Sequence, residues 1–280
     1  MGRRKAAIIM AAGKGTRMRS DVPKVLHQVA GRPMIYYPMA NALALGVERI
    51  VVVLGHQKDQ VENYLTETFP DDNWVVAHQT EQLGTGHAVL CAEGALDGFD
   101  GDVFILSGDV PTLPKSVLDE LQASQGDQAL GVLTMILANP AKYGRMVRDE
   151  AGMLLRITEF ADCSTSERQI DEVNAGIYQV DAQFCFETLK RIKAENAQGE
   201  YYLTDLVEAA SQRKLGVATV MLKGAAAADA LGVNQRCELA EAEARMQSRL
   251  RQDIMIEGVT CIDPNRLYLH HGVSVGADTI

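Results

Sequence analysis

The stretch that decides the fold is AAIIMAAGKGTRMRSDVPK, residues 6–24. It begins as an apolar run, continues into a loop around Gly13 and Gly15, and ends among positively charged side chains. An apolar strand that leads into a glycine loop is typical of α/β proteins that bind phosphate groups where a strand ends. Several kinds of such loop exist, and the residues around the glycines distinguish between them.

Two common phosphate-binding patterns do not match this loop. A Walker A loop has the pattern G-x-x-x-x-G-K-[ST], which is absent here. The dinucleotide pattern G-x-G-x-x-G needs a glycine where Met18 stands and an acidic residue about 20 positions further on, where Ile35 stands. A hydride-transfer enzyme is therefore disfavoured. Gly13 and Gly15 still let the backbone turn, and they leave N–H groups free to face phosphate oxygens.

Positive charge is concentrated beside the glycine loop. The whole chain has a formal net charge of −10 at pH 7, which argues against a general nucleic-acid-binding protein. Residues 1–24 nevertheless hold seven Lys and Arg side chains and one acidic side chain. Arg17 offers a two-pronged donor, while Lys14 and Lys24 act as point charges. Because these cations suit a triphosphate better than a single phosphate, we expect a small polyanionic ligand.

Short β-branched runs alternate with helical patterns along most of the chain. This alternation predicts right-handed βαβ crossovers and an α/β fold, a Rossmann-like three-layer sandwich around a mixed, mostly parallel sheet. Beyond residue 137 we expect an inserted antiparallel portion, with the runs 154–160 and 174–182, that forms a wall over the sheet. The predicted strands are 6–12, 49–55, 74–78, 102–109, 129–137, 154–160, 174–182 and 216–222. The predicted helices are 33–45, 57–66, 86–96, 114–124, 183–196 and 202–213.

The C-terminal part has a different pattern. Residues 235–255 predict an amphipathic helix, which either docks on the domain or connects it to a second module. The tail is again β-like, and VGADTI at 275–280 fits one turn of a hexapeptide β-helix repeat. Because such solenoids need at least about three repeats, we expect the chain to stop as a second domain begins. The predicted parts are a domain at 1–232, a connector helix at 233–257 and the start of a β-helix at 258–280.

Bulk composition indicates a folded cytoplasmic protein. Apolar residues make up 47% and charged residues 23%, and no apolar run approaches the length of about 20 residues that spans a bilayer. The basic N-terminus and short apolar run are followed by Gly13 and Lys14 rather than by a cleavage site for a signal peptide. The five cysteines have no metal-binding spacing. We expect neither a membrane nor a nucleic acid as partner.

A set of motifs along residues 6–280 carries a resemblance to a known family. The chain resembles the bacterial N-acetylglucosamine-1-phosphate uridylyltransferases, which are sugar nucleotidyltransferases. The first motif identifies only the superfamily, and the combination with the later ones is far more specific. The motifs are AAGKGTRM followed by PK, EQLGTGHA at 81–88, GDVP at 108–111, YGR at 143–145, EVNAGIY at 172–178, GEYYLTD at 199–205 and GVN at 232–234.

The resemblance implies a reaction and its partners. UMP is transferred from UTP to N-acetylglucosamine-1-phosphate by Mg²⁺-assisted in-line attack on the α-phosphorus. This gives UDP-N-acetylglucosamine, a precursor for peptidoglycan and lipopolysaccharide, and pyrophosphate. In the family a left-handed β-helix acetyltransferase domain follows the connector helix. A longer parent would therefore also acetylate glucosamine-1-phosphate with acetyl-CoA and form a homotrimer through that β-helix.

The resemblance also implies the site residues. Asp109 follows a predicted buried strand, where ligands of α/β proteins bind, although an aspartate there is also a common turn residue. Mg²⁺ needs only one or two protein oxygens besides water and phosphate, which the resemblance assigns to Asp109 and Asn234. The implied catalytic residues are Arg17, Lys24 and Asp109. The implied nucleotide-binding residues are Met10, Ala11, Ala12, Gly13, Gly15, Lys24, Gln79, Gly84, Thr85, Ser107 and Gly108. The implied sugar-binding residues are Gly144, Glu159 and Asn174.

The roles of Ser107 and His87 differ from those of the other motif residues, and two alternative functions stay open. Some family members have tyrosine where this chain has Ser107, so we expect a looser pocket wall there. His87 lies within GTGHA, and we assign it a structural contact and no catalytic role. The alternatives are a sugar-1-phosphate nucleotidyltransferase with another nucleotide or sugar, and a catalytically silent nucleotide-binding module used for regulation.

Overall fold

The computed structural model describes residues 3–55, 58–70 and 73–280, so the first residue of the predicted helix 57–66 lies outside the described residues. The strands are β1 Lys5–Ala11, β2 Gln28–Val29, β3 Arg32–Pro33, β4 Arg49–Leu54, β5 Trp74–His78, β6 Asp102–Ser107, β7 Leu130–Ile136, β8 Arg145–Arg148, β9 Leu154–Thr158, β10 Glu172–Asp181 and β11 Val217–Leu222. The helices are α1 Tyr36–Ala44, α2 Lys58–Thr68, α3 Thr85–Leu90, α4 Lys115–Gln125, α5 Ala182–Leu189, α6 Asp205–Gln212, α7 Ala225–Asp229 and α8 Arg236–Ile256.

Most of these strands form one mixed sheet. The order across it is β11-β7-β10-β6-β1-β4-β5, and β8 and β9 form an antiparallel pair attached to β10. Strand β1 pairs in parallel with β4 and β6, whereas β10 runs antiparallel to both β6 and β7. The carboxyl ends of β1, β4, β5 and β6 therefore lie at one edge, where the loops that follow them meet.

Strand β1 shows why the sheet is covered on both faces. Its side chains alternate, so that Ala7 and Ile9 belong to the apolar cluster on one face and Ala6 and Ile8 to the cluster on the other. All four are fully buried, and each isoleucine contributes about 1.5–3 kcal/mol of burial free energy. Helices α1, α2, α4 and α7 cover the first face and α3, α5 and α6 the second. The predicted three-layer α/β fold is confirmed.

The position of β10 corrects the prediction for residues 174–182. This strand lies between β6 and β7 in the middle of the main sheet and not in a wall over it. Polar residues inside the strand concealed its central place, and two of them are paired. Glu172 pairs with Arg148, and Asn174 donates to the Tyr178 hydroxyl. Because these groups are satisfied internally, the strand tolerates burial on both faces.

Several predicted helices were wrong at their ends. The predicted helix 183–196 ends at Leu189, because the following residues lack an apolar stripe and form turns around Asn196, which accepts from the N–H of Glu200. The predicted helix 33–45 begins only at Tyr36, since Arg32–Pro33 pairs with Gln28–Val29 in a hairpin. The predicted helix 86–96 is a short α3 and then a separate 3₁₀ turn. Strands β2, β3 and β8 and helix α7 were not predicted from the sequence.

The C-terminal helix α8 matches the predicted helix 235–255 closely. Its buried Ala242 and Met246 pack against Val29, Met34 and Tyr37 of the hairpin region. Residues 257–280 contain a 3₁₀ turn and no strand, so the start of a β-helix is not visible and stays a prediction. Within the described ranges, no helix is both long enough and apolar enough to cross a bilayer.

Candidate functional site

A two-lobed cleft lies at the carboxyl ends of the parallel strands. One lobe has a volume of about 340 Å³ and the other about 560 Å³. Ser107, at the end of β6, and Asp109, just beyond it, line both lobes, so the two join there. Of the predicted site residues, the smaller lobe is lined by Met10, Ala11, Ala12, Gly13, Lys24, Gln79, Gly84, Thr85, Ser107 and Asp109. The larger lobe is lined by Arg17, Ser107, Asp109, Gly144, Glu159, Asn174 and Asn234.

The glycine loop after β1 brings Lys24 into the cleft. Gly15 has a left-handed φ of +62°, and a Cβ added there would lie 2.6 Å from the Cβ of Lys24. Glycine therefore lets the loop close onto the lysine. A Cβ added at Gly13 would meet no atom within 4 Å, which leaves this part of the loop open to a ligand. Gly15 and Gly108 support the cleft from behind rather than line it, and the Gly108 N–H donates to Met10 O at 2.9 Å.

Lys24 forms a polar centre where the lobes meet. Its Nζ forms an ion pair with Asp109 and donates to the Asn234 Oδ1 at 3.1 Å. These groups are largely buried, since the side chains of Lys24 and Asp109 are 14% and 19% exposed. The Asn234 N–H donates to Glu238 of α8 at 2.6 Å, and the Val233 N–H donates to Asp109 O at 2.9 Å. The connection before α8 is thereby tied to the end of β6.

The same centre fits a hard divalent cation. A carboxylate oxygen of Asp109 and the amide oxygen of Asn234 converge on one position, which the Lys24 ammonium now occupies as a cationic stand-in. Oxygen ligands of this kind are those that Mg²⁺ prefers. The described part of the chain has no group of three or more His, Cys, Asp or Glu side chains that could hold a metal. A cation here would therefore take its remaining ligands from water and phosphate.

Arg17 stands at the mouth of the larger lobe. It lies in the 3₁₀ turn Thr16–Met18 and its side chain is exposed. Arg19, which follows this turn, takes a left-handed conformation with φ of +49° and redirects the chain. Arg17 is therefore free to move towards an anion in the cleft, whereas Lys24 is held in place.

The far wall of the smaller lobe is built around Gln79. This side chain is 6% exposed, and its Nε2 donates to Gly84 O at 3.0 Å. Gly84 has φ of +107°, and a Cβ added there would lie 2.6 Å from Tyr201 O. Thr85 Oγ1 accepts from the Leu203 N–H at 3.0 Å. Glycine and threonine therefore let the segment before α3 lie directly against residues 201–203.

The larger lobe has a more acidic and amide-rich wall. Glu159 accepts from Thr204 Oγ1 at 3.2 Å, and burial raises the pKa of its carboxyl group. Asn174 is held at both ends, because its amide donates to the Tyr178 hydroxyl at 2.6 Å and accepts from the Gly176 N–H at 2.9 Å. A Cβ added at Gly144 would lie 3.0 Å from Ile157 Cγ2 and 3.4 Å from Glu159 Oε2, so glycine keeps this part of the wall close to that carboxylate.

Several residues of the cleft were not predicted from the sequence. Gln82 Nε2 donates to Ala12 O at 2.7 Å and joins the glycine loop to the opposite wall. Tyr143, Glu200 and Glu238 line the lobes. His87, to which we assigned a structural contact, is not part of the lining of either lobe, and its Nδ1 is 3.2 Å from Gln79 Nε2. Gln82 and His87 are within the quoted EQLGTGHA motif, which was the available signal.

Comparison with known proteins agrees with this geometry. Residues 6–232 match the nucleotidyl transferase family. The chain belongs to the nucleotidyl transferase family. The resemblance carried by the motifs is therefore confirmed at the level of the family, and the cleft of this nucleotidyl transferase joins its glycine loop to the end of β6.

Several similar relatives are longer bacterial proteins. The chain is 47% identical over 277 residues to the bifunctional protein GlmU of Anaeromyxobacter dehalogenans (strain 2CP-C). The aligned region covers 98% of this chain and 56% of that relative. The chain is 45% identical over 278 residues to the bifunctional protein GlmU of Pelobacter propionicus, covering 98% and 59%. The GlmU of Geobacter sulfurreducens is likewise 45% identical over 278 residues, covering 98% and 57%. The chain thus spans under three fifths of the length of these relatives.

Proposed function

We propose that the chain transfers UMP from UTP to N-acetylglucosamine-1-phosphate, forming UDP-N-acetylglucosamine and releasing pyrophosphate. The observation that carries this proposal is the two-lobed cleft whose lobes join at Asp109 and Lys24. A transferase needs two substrates to meet at one reacting phosphorus atom, and each lobe accommodates one of them. The identity to GlmU relatives over almost the whole chain supports this choice of reaction.

The smaller lobe is the proposed nucleotide site. The N–H group of Gly13 and the ammonium of Lys24 bind the triphosphate, with Met10, Ala11 and Ala12 beneath it, and Gly15 lets the loop close behind them. Gln79, Gly84 and Thr85 contact the uracil, because a side-chain amide and free backbone groups match the donor and acceptor edge of that base. Ser107 and Gly108 complete the floor at the end of β6. An open space of about 340 Å³ supports this assignment.

The larger lobe is the proposed site for the sugar phosphate. Glu159 accepts hydrogen bonds from sugar hydroxyls, while Asn174 contacts the acetamide group and Gly144 lets the ring approach closely. The hydrogen bonds that hold Glu159 and Asn174 support a prearranged polar wall. Such prearrangement lowers the entropic cost of positioning the nucleophile.

The proposed step is an in-line displacement at the α-phosphorus of UTP. A phosphate oxygen of the sugar phosphate forms the new P–O bond, the bond to the β-phosphate oxygen breaks, and pyrophosphate leaves with the negative charge. The nucleophile is already an anion near neutral pH, so no side chain has to remove a proton. Lys24 and Arg17 stabilise the charge that builds up on the phosphate oxygens, in a site that is already arranged for it.

Asp109 and Asn234 are the residues that would hold a magnesium ion, as their converging oxygens support. When bound, Mg²⁺ supplies positive charge that neutralises phosphate oxygens. The ammonium of Lys24 would then move from these two oxygens towards the triphosphate. Glu238 would keep Asn234 in position through the backbone hydrogen bond of 2.6 Å.

We further propose the division of the chain into a uridylyltransferase domain at 1–232, a connector helix at 233–257 and the start of a left-handed β-helix at 258–280. The longer relatives support a second module, since this chain spans under three fifths of their length. In the longer parent, that module would acetylate glucosamine-1-phosphate with acetyl-CoA and form a homotrimer.

A substrate panel tests the proposed function. Pyrophosphate release is measured with UTP, CTP, GTP, ATP and dTTP, each combined with the 1-phosphates of N-acetylglucosamine, glucosamine and glucose, with and without Mg²⁺. We expect release above background for UTP with N-acetylglucosamine-1-phosphate and Mg²⁺, and UDP-N-acetylglucosamine as the product by mass spectrometry. A higher kcat/KM for another pair would assign a different nucleotidyl transfer, and binding of UTP without any turnover would indicate a regulatory module.

A further inference from the structure

His87 contacts the buried Gln79 side chain in a way that the proposed reaction does not use. His87 lies on α3, and its Nδ1 is 3.2 Å from Gln79 Nε2. Its other ring nitrogen, Nε2, is 3.9 Å from the Cys91 sulfur one turn further along the chain. The imidazole therefore stands between Gln79 of the smaller lobe and the partly buried Cys91.

The donors and acceptors of this contact can be assigned from its surroundings. Gln79 Nε2 lies 3.0 Å from Gly84 O, which only accepts, so the nitrogen and not the oxygen of the amide must face it. The same NH₂ group then donates its second hydrogen to His87 Nδ1. That nitrogen must be unprotonated, and the ring proton lies on Nε2, towards Cys91. Both hydrogens of the Gln79 amide are thus used inside the protein.

The consequence is that the Gln79 amide offers only its oxygen to a ligand. Gln79 lines the smaller lobe and is 6% exposed, and no described donor hydrogen-bonds to its Oε1. This oxygen is therefore the polar atom of the side chain that a donor on a ligand in the lobe would meet. Uracil has such a donor, the N3–H group. Cytosine has a lone pair at the same ring position and would oppose the oxygen.

We propose that His87 is a positioning residue that holds the Gln79 amide with its oxygen towards the nucleotide base, so that the site selects uracil over cytosine. This inference rests on the proposed function, because it takes the smaller lobe as the base-binding lobe. Without His87, one N–H of Gln79 is released, and the amide can turn and offer a donor to the N3 lone pair of cytosine. Gly84 alone holds only one of the two hydrogens.

The test compares His87→Leu with His87→Asn in the whole chain. Leucine removes the acceptor, whereas the Oδ1 of asparagine stands close to the position of the imidazole Nδ1 and keeps it. The exposed His78 on β5 supplies a matched control, His78→Leu. KM and kcat are measured for UTP and CTP with N-acetylglucosamine-1-phosphate, and binding of UDP and CDP is measured by calorimetry.

We expect His87→Leu to lower the ratio of kcat/KM for UTP over CTP by about tenfold, mainly through KM, as the loss of one hydrogen bond in a buried site implies. His87→Asn restores most of that ratio, and His78→Leu leaves it unchanged. In Gln79→Ala the additional His87→Leu substitution has no further effect on the ratio, because His87 acts through Gln79. If leucine does not pack at position 87, His87→Ala serves in its place.

Several outcomes would overturn the inference. One is a UTP over CTP ratio in His87→Leu that equals the wild-type value. A second is a ratio in His87→Asn that is as low as in His87→Leu, and a third is an additive effect of the Gln79 and His87 substitutions on the ratio. Calorimetry separates this failure from failure of the proposed function. If the chain shows no turnover but still binds UDP more tightly than CDP in a way that depends on His87, only the proposed reaction is wrong. If uridylyl transfer is normal and the UTP over CTP ratio does not change in His87→Leu, only the proposed role of His87 is wrong.

Discussion

At the scale of the residue, Lys24 joins parts of the site that are distant in the sequence. It lies 85 residues before Asp109 and 210 residues before Asn234, yet its Nζ contacts both. The ion pair is largely buried, so its charges are screened less than those of a surface pair. Because removing one partner of such a pair leaves the other uncompensated, these residues act as a unit.

Lys24→Ala should lower kcat by about 10²–10³-fold, because a prearranged positive charge is lost where negative charge develops. The initial rate of pyrophosphate release from UTP and N-acetylglucosamine-1-phosphate measures this, with circular dichroism as a check of folding. Lys223→Ala removes an exposed lysine and is the matched control, for which we expect an unchanged rate. Turnover of Lys24→Ala near the wild-type value would exclude a role for this lysine in the reaction.

Asp205 at the start of α6 predicts a dependence of stability on pH. Burial first, and then the neighbouring Glu208 and Asp162, raise the pKa of Asp205 to about 6. The folded state therefore binds more protons than the unfolded state between the ordinary pKa of aspartate, about 4, and that value. The free energy of unfolding should fall by about 1–2 kcal/mol as pH rises through this window and should then level off. This magnitude allows for the partial exposure of the Asp205 side chain.

The measurement is urea unfolding across the same pH window. Asp205→Asn should be more stable than the wild type above pH ~6 and similar to it near pH ~4, since it has no carboxyl group to titrate. Burial also raises the pKa of Glu159, so a smaller slope remains in the variant. Asp253→Asn, at an exposed position of α8, should keep the full slope. An identical slope in Asp205→Asn and the wild type would refute the prediction.

At the scale of the element, strands with plain apolar patterns were predictable and strands with internal polar pairs were not. β1 and β4 are continuous apolar runs buried on both faces, so their sequences alone indicate central parallel strands. β10 is equally buried, but its polar residues are paired within the strand, as Asn174 is with Tyr178, or with other elements, as Glu172 is with Arg148 of β8. Its place between β6 and β7 depends on those distant contacts and cannot be read from local pattern.

The candidate site divides in the same way. The sequence alone indicates Lys24 and Asp109, because a basic residue beside a glycine loop and an acid after a buried strand meet at one edge of a parallel sheet. Asn234 has no local signal and came only from the family resemblance. The contact between His87 and Gln79 depends on the direction of two side chains, which no spacing rule predicts.

The docking of α8 should contribute measurably to stability. Met246 is 4% exposed and belongs to the apolar cluster between this helix and the β2–β3 hairpin. Met246→Ala should lower the free energy of unfolding by about 2–5 kcal/mol, through lost burial and the cavity left behind. Met255 on the same helix is 37% exposed, and we expect Met255→Ala to cost under about 1 kcal/mol. The free energy of unfolding is measured with urea. An equal decrease for Met246→Ala and Met255→Ala would show that this cluster does not hold α8 in place.

At the scale of the whole molecule, the cleft forms only when the sheet is assembled. Its walls come from the loop after β1, the segment between β5 and α3, the end of β6, the β8–β10 region and residues 232–238. The acidic chain concentrates positive charge beside the glycine loop after β1, which lines this cleft. Net charge therefore discourages binding of other polyanions, while the local charge attracts a nucleotide.

The central claim is that a phosphate oxygen of the sugar phosphate attacks the α-phosphorus of UTP in this cleft. The most direct measurement uses N-acetylglucosamine-1-phosphate with ¹⁸O in its phosphate group, UTP and Mg²⁺, with mass spectrometry of both products. We expect all of the label in UDP-N-acetylglucosamine and none in pyrophosphate, because the sugar phosphate keeps its own oxygens. Label in the pyrophosphate, or no UDP-N-acetylglucosamine from the folded chain, would contradict the account.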